Sequence, residues 1–167
     1  MTPAIVLPSL VVAERLGELW LARRNTAALL AAGASEAAAS HYPAIVALHG
    51  AWLAGLFVLG WDNPLIPVWL ALFLLLQAGR VWVLATLGRR WTTRIVVVPG
   101  ESLIASGPYR FVSHPNYLVV AGEIAVLPLC LGLWWYALAF SLANAALLAI
   151  RIRAENAALS ESRDAVR

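Results

Sequence analysis

PLIPVWLALFLLLQAGRVWVLATLG, residues 64–88, is an apolar run in which Gln77 and Arg80 are the only amide or charged side chains. A helix rises about 1.5 Å per residue, so this run is long enough to cross a hydrocarbon layer of about 30 Å. Three further windows have the same character, residues 42–60, 117–133 and 134–155, the last two joined by the tight Leu131-Gly132-Leu133-Trp134-Trp135 turn. A fifth window, residues 3–22, carries Glu14, Arg15 and Glu18. It either packs these charges inward against its neighbours or lies along the interface as an amphipathic helix. With 62% hydrophobic and 13% charged residues and a mean hydropathy of +0.78, the chain is too apolar for a soluble domain of 167 residues. The expected fold is an all-α integral membrane protein of about five transmembrane helices, one domain over residues 1–167, with a short interfacial hairpin or loop at 92–116.

Arginine placement sets the expected orientation, because cytoplasmic flanks collect basic residues. If all five windows span, Arg23, Arg24, Arg89, Arg90, Arg94, Arg110, Arg151, Arg153, Arg163 and Arg167 fall on one side, and the Trp61-Asp62-Asn63-Pro64 and Leu131–Trp135 turns on the other. That puts the N-terminus outside and the C-terminus and the 89–116 connection in the cytoplasm, with only the N-terminal placement changing if the first window lies on the interface; the all-Arg basic set and the abundant Ala and Leu point to a bacterial, and so an inner, membrane. The net charge of +3 is then a topology signal and an attraction to anionic lipid headgroups, with no nucleic-acid partner implied. Cys130 is the single cysteine and sits in an apolar span, which excludes a disulfide framework within one chain. His41 and His49 have no Cys or carboxylate at ligand spacing, so no metal is expected. No cleavable signal is evident, since the first apolar run lacks a basic leading region.

Two connections are long. Residues 23–41 are Ala-rich and read as a short surface helix followed by a turn. The 89–116 connection begins with the β-branched run Ile95-Val96-Val97-Val98, turns at Pro99-Gly100 and returns through Ser102-Leu103-Ile104, the pattern of a small hairpin. It leads into Gly107-Pro108-Tyr109-Arg110-Phe111-Val112-Ser113-His114-Pro115-Asn116-Tyr117, in which Pro115 suits the first turn of a helix with Ser113 or His114 near the cap. Beside spanning helices such a polar and aromatic stretch marks a candidate site, against the plainer reading of a connecting loop. Within the spans, Ser141, Asn144, Arg151 and Glu155 share one helical face, Gln77 and Arg80 another, and Glu123 stands two turns into its helix. Each has a structural alternative: helix-to-helix hydrogen bonds worth about 0.6–2 kcal/mol for Gln77 and Asn144, an i,i+4 ion pair for Arg151 and Glu155, and a hydrogen-bonded structural histidine for His114.

The run GPYRFVSHPNYL, the following Glu123 and the terminal NAALLAIRIRAENAAL together resemble the isoprenylcysteine carboxyl methyltransferase family, integral membrane methyltransferases related to phospholipid methyltransferases. The likeness covers about residues 70–160 and rests on two separated motifs, GPY-R-x-x-x-HPNY and N-x(6)-RI-x-x-E, in order and on one membrane side. The stretch ARRN…HYPAIVALH is also similar to a bacterial branch associated with methylating alkylpyrone and phenolic lipids. The resemblance implies S-adenosylmethionine as cofactor at the cytosolic face, S-adenosylhomocysteine as product, and a lipophilic small-molecule or prenyl-type acceptor entering from the membrane lipids. It carries His114, Pro115 and Tyr117 onto the family's His-Pro-x-Tyr cofactor loop and Glu155 onto its terminal acidic residue. Ser113 stands where the family usually has Arg, and Asn156 replaces a second Glu.

Methyl transfer from a sulfonium needs alignment of the reacting atoms and exclusion of water rather than a catalytic triad. An anionic carboxylate or acidic enol or phenol needs no general base. On this reading Arg151 and Glu155 carry the chemistry, Arg151 holding the acceptor's anion and Glu155 the cofactor's ammonium. Gln77, Tyr109, Ser113, His114, Pro115, Tyr117 and Asn144 complete the cofactor site, and Arg80 and Glu123 join Arg151 on the acceptor. The rival enzyme class is an NADPH-dependent membrane reductase of the sterol and steroid type, which shares a Gly-x-Tyr…His-Pro-Asn-Tyr loop; the Lys-Tyr-Gly tail of such chains is absent here. A non-enzymatic membrane scaffold or lipid-binding subunit is the third reading.

Overall fold

Polar side chains that donate to backbone carbonyls of neighbouring segments tie this bundle together at both ends. A computed structural model describes residues 2–37, 40, 42–99 and 104–164, with side chains through Ser160. The elements run α1 (Pro3–Ala31), β1 (Ser35–Ala37), α2 (Tyr42–Leu59), α3 (Pro67–Leu87), β2 (Ile95–Val97), α4 (Pro115–Cys130) and α5 (Trp134–Asp164), with single helical turns at Gly88–Arg90 and Gly107–Arg110. Tyr42–Leu59, Pro67–Arg90 and Trp134–Ser160 are long and apolar enough to cross a membrane, and α4 is a shorter apolar helix. The protein is an all-helical membrane protein, its sole sheet among the described residues being a two-stranded scrap.

Helices α3, α4 and α5 pack in sequence around Phe73, Ile124, Leu127, Leu131 and Tyr136, and α2 closes the core with Trp52 and Leu56. Tyr136 donates its hydroxyl toward the carbonyls of Ala51 and Trp52, at 3.1 and 3.0 Å, which ties α5 to α2. The α4–α5 turn follows the sequence reading. Gly132 takes φ +71, and the Gly132 and Leu133 amides bond back to the Leu129 and Pro128 carbonyls, a glycine-dependent helix stop. At that end the Asn63 amide donates to the Leu131 carbonyl at 2.8 Å and the Thr2 hydroxyl to the Trp61 carbonyl at 2.7 Å.

Helix α1 resolves the first ambiguity of the sequence. It packs Arg15 and Glu18 inward: Arg15 donates to Glu18 at 2.7 Å and to Glu123 of α4 at 2.8 Å, while Arg80 of α3 holds Glu18 at 3.1 Å and engages both oxygens of Glu123. Two guanidinium groups and two carboxylates therefore cancel inside the bundle, which is how an apolar medium tolerates them. Helix α1 also runs straight through residues 23–31, so the expected separate surface helix is the end of α1.

The expected hairpin falls largely on residues 100–103, its turn and most of its return arm, which lie outside the described residues; among the described residues β2 pairs with β1, antiparallel, Ser35 opposite Val97 and Ala37 opposite Ile95. The strand run found its partner in the earlier connection because both connections leave the same end of the bundle. Arg94 of this ribbon reaches Glu36 at 2.9 and 2.8 Å. Asn25 is buried near the end of α1 and donates to the Gly88 and Trp91 carbonyls, at 3.1 and 2.8 Å. The C-terminal ends of α1, α3 and α5 thus gather with the start of α4, and among the described residues Arg23, Arg24, Arg89, Arg90, Arg94, Arg110, Arg151 and Arg153 lie at that end, while Arg167 is outside the described residues.

Candidate active site

His114 is the N-cap residue of α4, with a non-helical backbone at φ −131°, ψ 63° and no side-chain capping bond, and Pro115 occupies the first helical position, where its missing N–H costs nothing. This start aims Tyr117 across at the last buried turns of α5. The Tyr117 hydroxyl donates to the Glu155 carboxylate and accepts from Arg151 Nε at 2.9 Å. Arg151 Nη2 donates to the Thr93 carbonyl at 2.7 Å, just before β2. The guanidinium is buried and lies over the Tyr117 ring, 5.6 Å from its centre. His114 stacks on the other part of the group: its ring centre is 5.3 Å from that of Tyr117, and its Nδ1 is 3.8 Å from Glu155. Burial, and then the Glu155 carboxylate, push the Tyr109 hydroxyl up to about 12, so it stays a neutral donor.

Two cavities meet at this group. The wider, about 810 Å³, is open at the arginine-rich end and is walled by Tyr109, Ser113, His114, Glu155 and Asn156 together with β2. The narrower, about 300 Å³, descends among the helices with a mainly apolar surface of Val, Leu, Ile and Trp side chains, into which Arg15, Glu18, His49, Arg80 and Glu123 are set. Trp91, Thr92, Asn116, Tyr117 and Arg151 belong to both walls. Two of these shared residues carry buried polar atoms with no partner among the described residues, Trp91 Nε1 and Asn116 Oδ1, and such atoms call for a ligand or water.

The sequence-derived site residues divide between these spaces. Tyr109, Ser113, His114, Tyr117 and Glu155 line the wide cleft, and so do the two departures from the family pattern, Ser113 and Asn156. Asn144, Arg80 and Glu123 line the narrow cavity instead, with Arg151 at the junction. Pro115 shapes the backbone and is buried. Gln77 stands apart from both walls, its Oε1 and Nε2 buried with no partner among the described residues. Arg80 and Glu123 are engaged with each other and with α1, a pairing that no local spacing announces. Sequence reasoning missed Trp91, Thr93 and Asn116; the last lay inside the quoted motif.

Residues 69–161 match the Isoprenylcysteine carboxyl methyltransferase (ICMT) family, a family of membrane methyltransferases, and the chain belongs to it. It is also 39% identical over 161 residues to an uncharacterized protein of Bacillus subtilis (strain 168), YpbQ, the alignment covering 93% of this chain and 96% of that protein. No solved structure matches. The family assignment lends nothing to the reductase and scaffold readings.

Proposed function

We propose that this protein transfers a methyl group from S-adenosylmethionine to an anionic oxygen, a carboxylate or an acidic enol or phenol, of a lipophilic acceptor, and releases S-adenosylhomocysteine. The observation that carries this reading is the shared wall: a polar cleft and an apolar cavity abut at Arg151 and Tyr117. A water-soluble cofactor and a lipophile can thereby be brought together without either entering the other's solvent.

The cleft residues fit the cofactor. Glu155 offers a carboxylate to an ammonium group, Ser113 and Asn156 offer hydrogen bonds to hydroxyl and carboxylate groups, and the unpartnered Asn116 and Trp91 atoms suit a ligand seated at the junction. When bound, the cofactor supplies an electrophilic methyl group on a sulfonium. Arg151 provides a fixed positive charge at the junction. Because Nε and Nη2 are already anchored by Tyr117 and Thr93, the guanidinium keeps its orientation and stabilises an oxyanion without reorganising. An acceptor that arrives ionised gives up no proton, so the site needs no base of its own. The Val and Leu lining excludes water from the reacting atoms.

The exposed rings support the membrane placement. Trp61, Trp134 and Trp135 mark one end of the bundle, Trp20, Trp82 and Phe111 the other, as aromatic belts do at the two interfaces. With the arginine-rich end at the cytoplasm of a bacterial plasma membrane, the cleft opens to the cytosol and the N-terminus lies outside. Calorimetry on the detergent-purified protein tests the reading: S-adenosylhomocysteine should bind and NADPH should not. Binding of NADPH alone would overturn it.

A further inference from the structure

The narrow cavity ends, away from Arg151, on polar side chains that methyl transfer at its other end does not use. Arg15, Glu18, Arg80, Glu123 and His49 all stand in its wall. Four of them form the neutral quartet that ties α1 to α3 and α4, and that structural role accounts for Arg80, whose side chain is 4% accessible. It does not account for Arg15, which keeps 19% of its side chain accessible, or for His49, which makes no bond to the quartet. His49 Nδ1 lies 2.8 Å from the Ile45 carbonyl. A carbonyl only accepts, so the hydrogen is on Nδ1, and Nε2 of the neutral ring is an acceptor. Arg15, with N–H groups beyond the two engaged, and His49, with an imidazole acceptor, therefore stand in the wall of one cavity whose carboxylates are already taken up by the quartet. A hydroxyl group, donor and acceptor in one atom, satisfies both.

We propose that this end of the cavity is a subsite for a hydroxyl group on the acceptor, which donates to His49 Nε2 and accepts from Arg15. The acceptor is then a lipophile with two oxygens, one methylated at Arg151 and a second, unmethylated hydroxyl farther into the bundle. The first oxygen rests on the methyl-transfer reading above; the second does not. Tyr117 and Glu123 are six residues apart on α4, which places the two levels about 9 Å apart along the helix. A cavity of about 300 Å³ is at the small end of ligand pockets, so it encloses the oxygenated part of the molecule and leaves the remaining chain to the bilayer. A site built around a hydroxyl also discriminates strongly, because an analogue without it strands both partners unpaired.

The probes are hexadecanoic acid and its derivatives bearing a hydroxyl or a methoxy group at the eighth carbon, a position about as far from the carboxylate as the subsite is from Arg151. Calorimetry on the full chain in nanodiscs with S-adenosylhomocysteine, corrected against empty nanodiscs, reads affinity without requiring turnover. The hydroxy acid should bind about tenfold or more tightly than the other two. His49→Phe should erase that preference while leaving the affinity for hexadecanoic acid within about twofold, and His49→Gln, which restores an acceptor, should recover part of it. Equal binding of the three acids, binding of none, or a preference that survives His49→Phe overturns the subsite. Methylation of hexadecanoic acid is scored separately. Its failure alongside a preserved hydroxyl preference strikes the methyl-transfer reading and leaves the subsite standing.

Discussion

Tyr117→Phe removes one oxygen and nothing else, and among the described residues that oxygen links the two charged groups proposed to serve cofactor and acceptor. In the structure it donates to Glu155 and accepts from Arg151 Nε at 2.9 Å. A hydrogen bond to an ionised partner is worth about 1.5–3 kcal/mol. The two losses do not both fall on the cofactor, since Glu155 is the group proposed to hold its ammonium whereas Arg151 is proposed to serve the acceptor. The net cost should therefore be that of about one such bond, a ten- to hundredfold weakening of S-adenosylhomocysteine binding. Calorimetry of Tyr117→Phe, Glu155→Gln and the double variant gives the coupling directly. Because both changes act through one hydrogen bond, the double variant should bind scarcely worse than the weaker single. Unchanged affinity in Tyr117→Phe, or fully additive losses, would refute the claim that the phenol organises the site.

Arg151→Lys keeps the charge but cannot reach both Tyr117 and the Thr93 carbonyl, so cofactor affinity should stay within about threefold while single-turnover transfer to hexadecanoic acid is lost; parallel losses of binding and transfer would move Arg151 to the cofactor. Glu123→Ala leaves the buried Arg80 and the half-buried Arg15 short of a carboxylate and should destabilise the detergent-solubilised protein by about 3–5 kcal/mol, whereas an unaltered melting temperature would show the quartet to be incidental. Gly107 has φ +56 and an added Cβ would lie 2.4 Å from Thr86 Oγ1. Gly107→Ala should thus lower the melting temperature, with partial recovery in combination with Thr86→Ala, and full stability of the single variant would contradict this packing. In a Cys130→Ala background, Ser106→Cys should be shielded from impermeant thiol reagents in intact cells and Asp62→Cys should react; the opposite pattern inverts the assigned orientation.

The apolar windows were legible because hydropathy is local: α2, α3 and α5 fall where the uninterrupted runs lie, and the Gly132 turn where its residues allow a left-handed backbone. The helix start at Pro115 was equally legible, since proline suits that position on its own. What escaped depends on partners distant in sequence. Glu123 meets Arg15 across 108 residues, and Ser35 meets Val97; neither α1 nor β2 signals its partner by spacing. The β-branched run at 95–98 beside Pro-Gly suggests a local return that falls largely outside the described residues, whereas the strand partner that is described, Ser35–Ala37, belongs to an Ala-rich segment whose composition favours helix. The α5 stripe of Asn144, Arg151 and Glu155 was read from periodicity alone. Its division between two cavities follows from where α1, α2 and β2 pack, which periodicity does not contain.

The central claim is that the reacting centre lies where the two cavities share Tyr117 and Arg151. An experimental structure of the S-adenosylhomocysteine complex tests it most directly. The ligand is expected in the wide cleft with its ammonium at Glu155 and its sulfur facing the wall formed by Asn116, Tyr117 and Arg151. A ligand bound elsewhere, or one whose sulfur points away from that wall, would contradict the account.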